Sequence, residues 1–368
     1  MNNQLPVWQK AAYGLFFLSI LLYAVIIGKP LFEPMVFSIL LTLILSPLVR
    51  YFERIFRRSI PAIAVTFAVV VLPFLFLFGL FSWYSVEIFS QLPSINKELD
   101  QAIRAGLSWI ESRTGMTMVD DEEWLKENIS KITSGVFDFL GKGVSSTTAS
   151  IASFFLTLVY TALLLYYRQT YYRFAVMQFP KPRQNSIRET IKRMQTMLQR
   201  YCYGMLSVIG ILAVLNTLGL WVIGIDYAPF WGCLAAFLAI IPYIGTTLGG
   251  FLPFVFALAT TGTYWQPIAV VVYYLVLQQI EGNLITPNIV GGRISVNPLV
   301  VIFGMVVGGL IWGISGLIIT LPIIALIRVL CEEIDVLKPV AVLLSSNIRR
   351  ETDRLESELN EDKHRLFF

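Results

Sequence analysis

A chain of 368 residues that is 56% hydrophobic and only 14% charged, with a mean hydropathy of +0.69, carries more apolar side chain than one globular core can bury, so it belongs in a membrane. No alternating strand-like segments of about ten residues recur, which excludes a membrane β-barrel. The net charge of +4 would suit nucleic acid in a soluble protein, but here Lys and Arg gather in particular loops, where they report membrane topology, and no nucleic-acid partner follows.

The predicted fold is all-α and polytopic, with about eight membrane segments, because apolar windows long enough to cross a ~30 Å hydrocarbon core recur along the chain. Five are clear: residues 11–27, 31–49, 61–83, 147–167 and 204–225. The first carries no basic leader beyond Lys10 and no small-residue cleavage site, so it reads as a retained span. The first two join at Gly28-Lys29-Pro30, which predicts a tight hairpin. After the second span come Arg50, Arg54, Arg57 and Arg58 with Glu53 as the lone acid, and the segment 168–200 is strongly basic with Glu189 as its only acid. Both are expected in the cytoplasm, and so are the two termini.

Between the third and fourth spans, acids outnumber bases over residues 85–146, which suits the opposite face. Ile88, Leu92, Ile95, Leu99, Ile103 and Leu107 recur at helical spacing there, and a second amphipathic helix opens at Asp120-Asp121-Glu122-Glu123. This insert is read as a lid that packs on the membrane surface or on a neighbouring subunit, with a gate as the alternative. On the cytoplasmic side, Ser186-Ile187-Arg188-Glu189 forms a capping box ahead of an apolar stripe backed by Arg188, Lys192, Arg193 and Arg200. That pattern predicts a helix lying on the membrane among lipid headgroups.

The last third is organised differently. Residues 228–262 contain Pro242 and Gly245, then Gly249 and Gly250, where a continuous helix is not expected; residues 297–330 repeat the theme around Gly308-Gly309, Gly313, Gly316 and Pro322. Both read as broken or re-entrant hairpins flanking the apolar run that begins at Trp265. The organisation is therefore residues 1–84 as the first three spans, 85–146 as the insert, 147–203 as the fourth span with the basic helix, 204–330 as a transport core, and 331–368 as a charged tail. Leu344, Ile348, Leu355 and Leu359 in that tail have near-heptad spacing.

Chemistry enters at Leu277-Gln278-Gln279-Ile280-Glu281-Gly282-Asn283-Leu284-Ile285-Thr286-Pro287. A carboxylate at membrane depth costs roughly 2.5–3.5 kcal/mol even on the lenient scale, so it is kept facing a partner or a water-filled cavity. Glu281 and Gln278 stand three apart on one helix and can face one cavity, with Asn283 just beyond; the alternative for Glu281 is an ion pair with Arg293 near the cytoplasmic interface that fixes the depth of the helix. Broken-helix ends add unpaired backbone groups, which places Tyr243, Thr246 and Thr247 at the first break and Ser315 at the second beside them as binding candidates; Pro287 marks a further break. Glu33 and Asp226 read as interfacial or loop residues, and Gly304xxxGly308 and Gly309xxxGly313 as close helix packing. Cys202, Cys233, Cys331 and the single His364 offer no CxxC pair, no zinc site and no His-based triad, so neither metal nor cofactor nor enzyme activity is expected.

The run from Glu281 to Gly291, the following Asn297-Pro298-Leu299-Val300 and the break at Ile241-Pro242-Tyr243-Ile244-Gly245 together resemble the AI-2E family of bacterial transporters, over the whole membrane part and including the insert. The resemblance implies a multi-pass inner-membrane protein, homo-oligomeric, with a pentamer as one form. It implies export of an autoinducer-2-like small polar solute, as in quorum sensing, or Na+(Li+)/H+ antiport, and leaves the substrate open. No GxxxxGK[ST] is present, so energy would come from an ion gradient or the solute's own gradient. The expected partners are lipid, a small polar solute, H+ or Na+. A scaffold or receptor without transport, or a passive channel, is the other reading. A transporter predicts a polar cavity meeting Glu281; a scaffold predicts that carboxylate paired and dry.

Overall fold

The computed structural model describes residues 7–90, 147–242, 244–290, 296–346, 348 and 352. Twelve helices run through them. They are α1 (Val7–Ile27), α2 (Lys29–Phe56), α3 (Ser59–Ser90), α4 (Thr147–Met177), α5 (Gln184–Ile223), α6 (Ala228–Leu238), α7 (Ile244–Thr260), α8 (Trp265–Ile280), α9 (Thr286–Ile289), α10 (Pro298–Trp312), α11 (Ile314–Glu333) and α12 (Lys338–Leu344). Among the described residues, six helices are long and apolar enough to cross a membrane, which makes this an all-α polytopic membrane protein. Side chains such as Val222, Leu310 and Phe303 stand outward in the way lipid-facing residues do. Ile88, expected to open the insert's first amphipathic helix, is buried in the last turns of α3, which runs to Ser90; the rest of the insert's helices, the tail heptads beyond 348, Tyr243 and Arg293 lie outside the described residues.

By contacts the chain forms two compact units, one from residues 1–63, 151–202 and 292–368, the other from 64–150 and 203–291. In the first, α1 and α2 meet only around the Gly28 corner, so the predicted tight hairpin is not formed. Instead this corner is clipped to the turn between α10 and α11. Lys29 Nζ donates to the Trp312 carbonyl at 3.2 Å, Trp312 Nε1 donates to the Val25 carbonyl at 3.1 Å, and the Ser315 hydroxyl donates to Glu33. Glu33 is thus a paired carboxylate. Glu53, the lone acid of its basic loop, accepts from Arg168.

Pro47 has no N–H for the carbonyl of Leu43, four residues earlier, and Gln199 Nε2 supplies the missing donor at 3.1 Å while also reaching Ser46 Oγ at 3.0 Å. Asn297 caps α10, accepting from the Leu299 amide at 3.0 Å, with Pro298 in the first turn.

The second hairpin breaks at one residue. Gly313 has φ +65° and ψ −134°, a conformation that a Cβ disfavours strongly. Gly316 and Pro322, expected as breaks, lie inside α11, and Gly308-Gly309 lie inside α10. Glycine here serves contact: a Cβ on Gly316 would run into the Gly308 carbonyl, and one on Gly304 into Ile324 and Thr320. Gly313→Ala is therefore expected to destabilise by about 1–3 kcal/mol through backbone strain alone, since nothing lies within 4 Å of its added methyl, and a thermal melt of the detergent-solubilised protein checks it.

In the second unit, α6 and α7 pair, and α8 packs on α7. Leu220, Trp231, Phe256 and Val270 form its buried centre. The break between α6 and α7 spans Ala239 to the residues around Pro242, as expected, but Gly249 and Gly250 are within α7. Their role is again close approach: a Cβ on Gly249 would stand 3.0 Å from Ala235 Cα, and one on Gly250 2.9 Å from the Tyr274 ring. In the first turn of α7, a Cβ on Gly245 would run into the Leu238 carbonyl. At 11 residues α6 rises only about 17 Å, well short of a ~30 Å core, and the 17 residues of α7 rise about 25 Å.

The basic amphipathic helix expected to lie apart on the membrane is fused to the fifth span. Helix α5 runs 40 residues without interruption, because no proline and no glycine stands between Gln184 and Tyr203 to end it.

Candidate functional site

Helix α8 does not end at Glu281. It passes into one π-helical turn, Glu281–Ile285, in which the Thr286 amide reaches back to the Glu281 carbonyl, and then into α9. Pro287 explains the wide turn: it has no N–H for the carbonyl of Asn283, and its ring would strike that carbonyl in a regular α-turn. The break expected at Pro287 is therefore a re-wound helix. A π turn rotates the side chains on either side of it out of ordinary register, a common way to aim a functional group.

The half-buried Glu281 opens onto a cavity of about 20 Å³ that is lined also by Gln278, Thr246, Asn216, Tyr274 and Gly249. That volume suits a single water-sized species. Gln278 Nε2 donates to Thr246 Oγ1 at 3.4 Å. Asn216 is only 3% exposed, and its Oδ1 has no hydrogen-bond partner among the described residues; the Tyr274 hydroxyl is buried and has none either. Among the described residues Glu281 makes no ion pair. Pro253 adds to the set by withholding the amide that the Gly249 carbonyl would otherwise accept from.

Buried polar atoms without partners are rare in folded proteins and costly, by about 1–3 kcal/mol each. Two of them line the same cavity as the Glu281 carboxyl group. Oxygen sets of this kind suit hard cations or a proton, and among the described residues no group of His, Cys, Asp and Glu is arranged for a transition metal.

Of the residues singled out from sequence, the structure brings together Glu281, Gln278 and Thr246. Asn283 is turned away: its amide donates to the Gln279 carbonyl at 2.9 Å and side chain at 3.2 Å, on the exposed side of the π turn. Thr247 is exposed and does not line the cavity. Ser315 belongs to the other unit, where it is held by Glu33. Asn216 and Tyr274 were missed. The signal for Asn216 was present, an amide alone in the apolar run of the fifth span, the same anomaly that marks Glu281. Tyr274 stands mid-span, away from the span ends where aromatic belts sit. Its neighbour Tyr273 donates to the Leu215 carbonyl at 2.6 Å and fills the space left by Gly219, which holds α8 against α5 beside the cavity.

The sequence profile of the AI-2E family transporters matches residues 15–335. This chain belongs to the AI-2E family. YueF of Bacillus subtilis (strain 168), provisionally named a transport protein, is 26% identical to it over 320 residues, covering 81% of this chain and 82% of YueF. A provisionally named transport protein of Mycobacterium tuberculosis (strain CDC 1551 / Oshkosh) is 28% identical over 304 residues, covering 80% of this chain and 81% of its own length. The AI-2 transport protein TqsA of Escherichia coli (strain K12) is 23% identical over 343 residues, covering 91% of this chain and 95% of TqsA. The family is one of transport proteins, and the AI-2E chain described here is a multi-pass member of it with a transporter's role. Its Glu281 motif, π turn and cavity all lie inside the matched range.

Proposed function

We propose that this protein is a secondary transporter in which Glu281 takes a coupling cation or proton, with Asn216, Tyr274, Gln278 and Thr246 replacing hydration around it. The observation that carries the reading is the juxtaposition of Glu281 with two buried oxygens that lack partners, Asn216 Oδ1 and Tyr274 Oη. A half-buried acid with no ion pair among the described residues, beside unsatisfied oxygens, is expensive unless a positive species visits it. The cavity volume of about 20 Å³ supports exchange of Na+ or Li+ for H+ at this site, since an organic solute is several times larger. A second reading, export of an autoinducer-2-like polar solute, is favoured by the likeness to TqsA along 91% of this chain. The two are compatible if the ion drives the solute through another part of the protein.

The bias of Lys and Arg toward the loop at 50–58 and the segment 168–200 supports an inner-membrane location with both termini cytoplasmic. A homo-oligomeric assembly is part of the same proposal. Purified protein in liposomes carrying a pH-sensitive dye tests the coupling. An imposed Na+ or Li+ gradient is expected to drive counter-movement of protons in the parent and none in Glu281→Gln. If Glu281→Gln moves protons at the parent rate, the coupling role is wrong.

A further inference from the structure

A second and larger cavity, about 790 Å³, lies in the first unit between the N-terminal half of α5 and the last turns of α11. Its chemistry differs from that of the Glu281 site. Four cations line it, Lys192, Arg193 and Arg200 from α5 and Arg328 from α11, against Glu189, Glu332 and Glu333. The carboxylates are unevenly shared. Glu332 accepts from Arg193 at 2.6 Å and lies 3.2 Å from Arg328, while Glu333 stands 3.9 Å from Arg193. Lys192 and Arg200 are left with no ion-pair partner among the described residues, both on the cavity wall and both exposed.

They stand eight residues apart on one helix, about 12 Å along its axis, a span that two long, flexible side chains can close on one phosphate group. Glu189 repels an anion at the N-terminal end of the cavity, which directs it toward the Lys192 to Arg200 edge. The lining also carries apolar side chains, Met197 from α5, Val296, and Ala325 and Val329 from α11. Cations and apolar side chains lining one cavity match a molecule that is anionic at one end and hydrocarbon at the other. Both bounding helices run directly into long apolar segments, so the cavity sits where such a molecule already is.

We propose that this cavity binds the phosphate-bearing headgroup of an anionic phospholipid, with Lys192 and Arg200 holding the phosphoryl oxygens and the apolar side chains receiving the glycerol and first methylenes. The Arg193–Glu332–Arg328 ion pairs are part of its lining and tie α5 to α11, so an occupied cavity stabilises the contact between the two helices. Continuity of the basic half of α5 with a membrane span is what makes this a lipid site, because the helix cannot lift away from the bilayer that it enters. The inference stands apart from the coupling role of Glu281.

The test is the melting temperature of the full-length protein in nanodiscs of pure phosphatidylcholine and in discs containing phosphatidylglycerol. The parent is expected to melt higher with phosphatidylglycerol, and Lys192→Gln/Arg200→Gln to lose most of that increment while melting with the parent in phosphatidylcholine. Arg57→Gln/Arg58→Gln, which removes two exposed cations elsewhere in the same unit, is expected to keep the increment. Equal stabilisation of Lys192→Gln/Arg200→Gln and parent by phosphatidylglycerol overturns the proposal. So does loss of the increment in Arg57→Gln/Arg58→Gln, which would make the effect one of general surface charge. If glycerol phosphate added to phosphatidylcholine discs raises the melting temperature as far as the lipid does, the ligand is a soluble phosphate and the lipid assignment fails.

Discussion

Asn216→Leu is expected to melt higher than the parent and to transport more slowly by about tenfold or more. The two halves of this expectation come from one atom. Asn216 Oδ1 is buried and has no partner among the described residues, so it is a standing loss in the folded protein of about 1–3 kcal/mol. Leucine has nearly the same shape and removes that loss. Replacing an unsatisfied polar group by an apolar one of similar volume is neutral or stabilising. The same change takes one oxygen from the lining shared with Glu281 and closes part of a cavity of about 20 Å³, leaving a visiting cation one ligand short. A purely structural asparagine gives the opposite pairing, lower stability with transport intact. Scanning fluorimetry and ion-driven flux in liposomes, made on one preparation, separate them. Lower stability with parental flux removes Asn216 from the site.

Gly316→Val is expected to cost about 3 kcal/mol or more and to leave little folded protein after extraction. A Cβ at this position would run into the carbonyl of Gly308, which is backbone and cannot rotate away. Helices α10 and α11 must then separate, and the Thr320 hydroxyl, which donates to the Gly316 carbonyl at 2.6 Å and the Gly304 carbonyl at 3.3 Å, loses the second partner. Gly79→Ala is the contrast: nothing lies within 4 Å of its added methyl in α3, so the better helix propensity of alanine is expected to make it neutral or stabilising by up to about 1 kcal/mol. Size-exclusion profiles and thermal melts of the two variants distinguish a packing defect from a general intolerance of glycine substitution. A monodisperse Gly316→Val that melts with the parent would remove close contact as the reason for the glycine.

Which parts of the site could be read in advance follows from what a linear pattern contains. Glu281 and Gln278 stand three apart, and their common face is a property of one helix, visible without any partner. Asn283 stands two beyond Glu281, and its side depends on the π turn, which appears only once Pro287 and its clash with the preceding turn are considered. Thr246 and Thr247 were equivalent candidates until α7 packed on α8 and buried one face of it. Gly249, Gly250 and Gly316 looked like breaks because glycine weakens a helix in water by only about 1 kcal/mol more than alanine, a penalty that tight helix contact readily offsets. Proline marked departures unevenly: Pro242 lies at a real break, and Pro47 and Pro287 each account for a particular departure in hydrogen bonding, but Pro322 lies inside α11.

Hydropathy and spacing along the chain were enough to establish a helical membrane protein, the rough bounds of several of its spans, the break around Pro242, and Glu281 as the group that most needs explanation. These are consequences of transfer free energy summed over neighbours in sequence, and they need no knowledge of what packs against what. The meeting of Asn216 and Tyr274 with Glu281, and the pairing of Glu33 with Ser315, were decided only in three dimensions. Each joins helices distant in the chain, and whether a polar atom is satisfied depends on the contacts those helices make, which no local pattern carries.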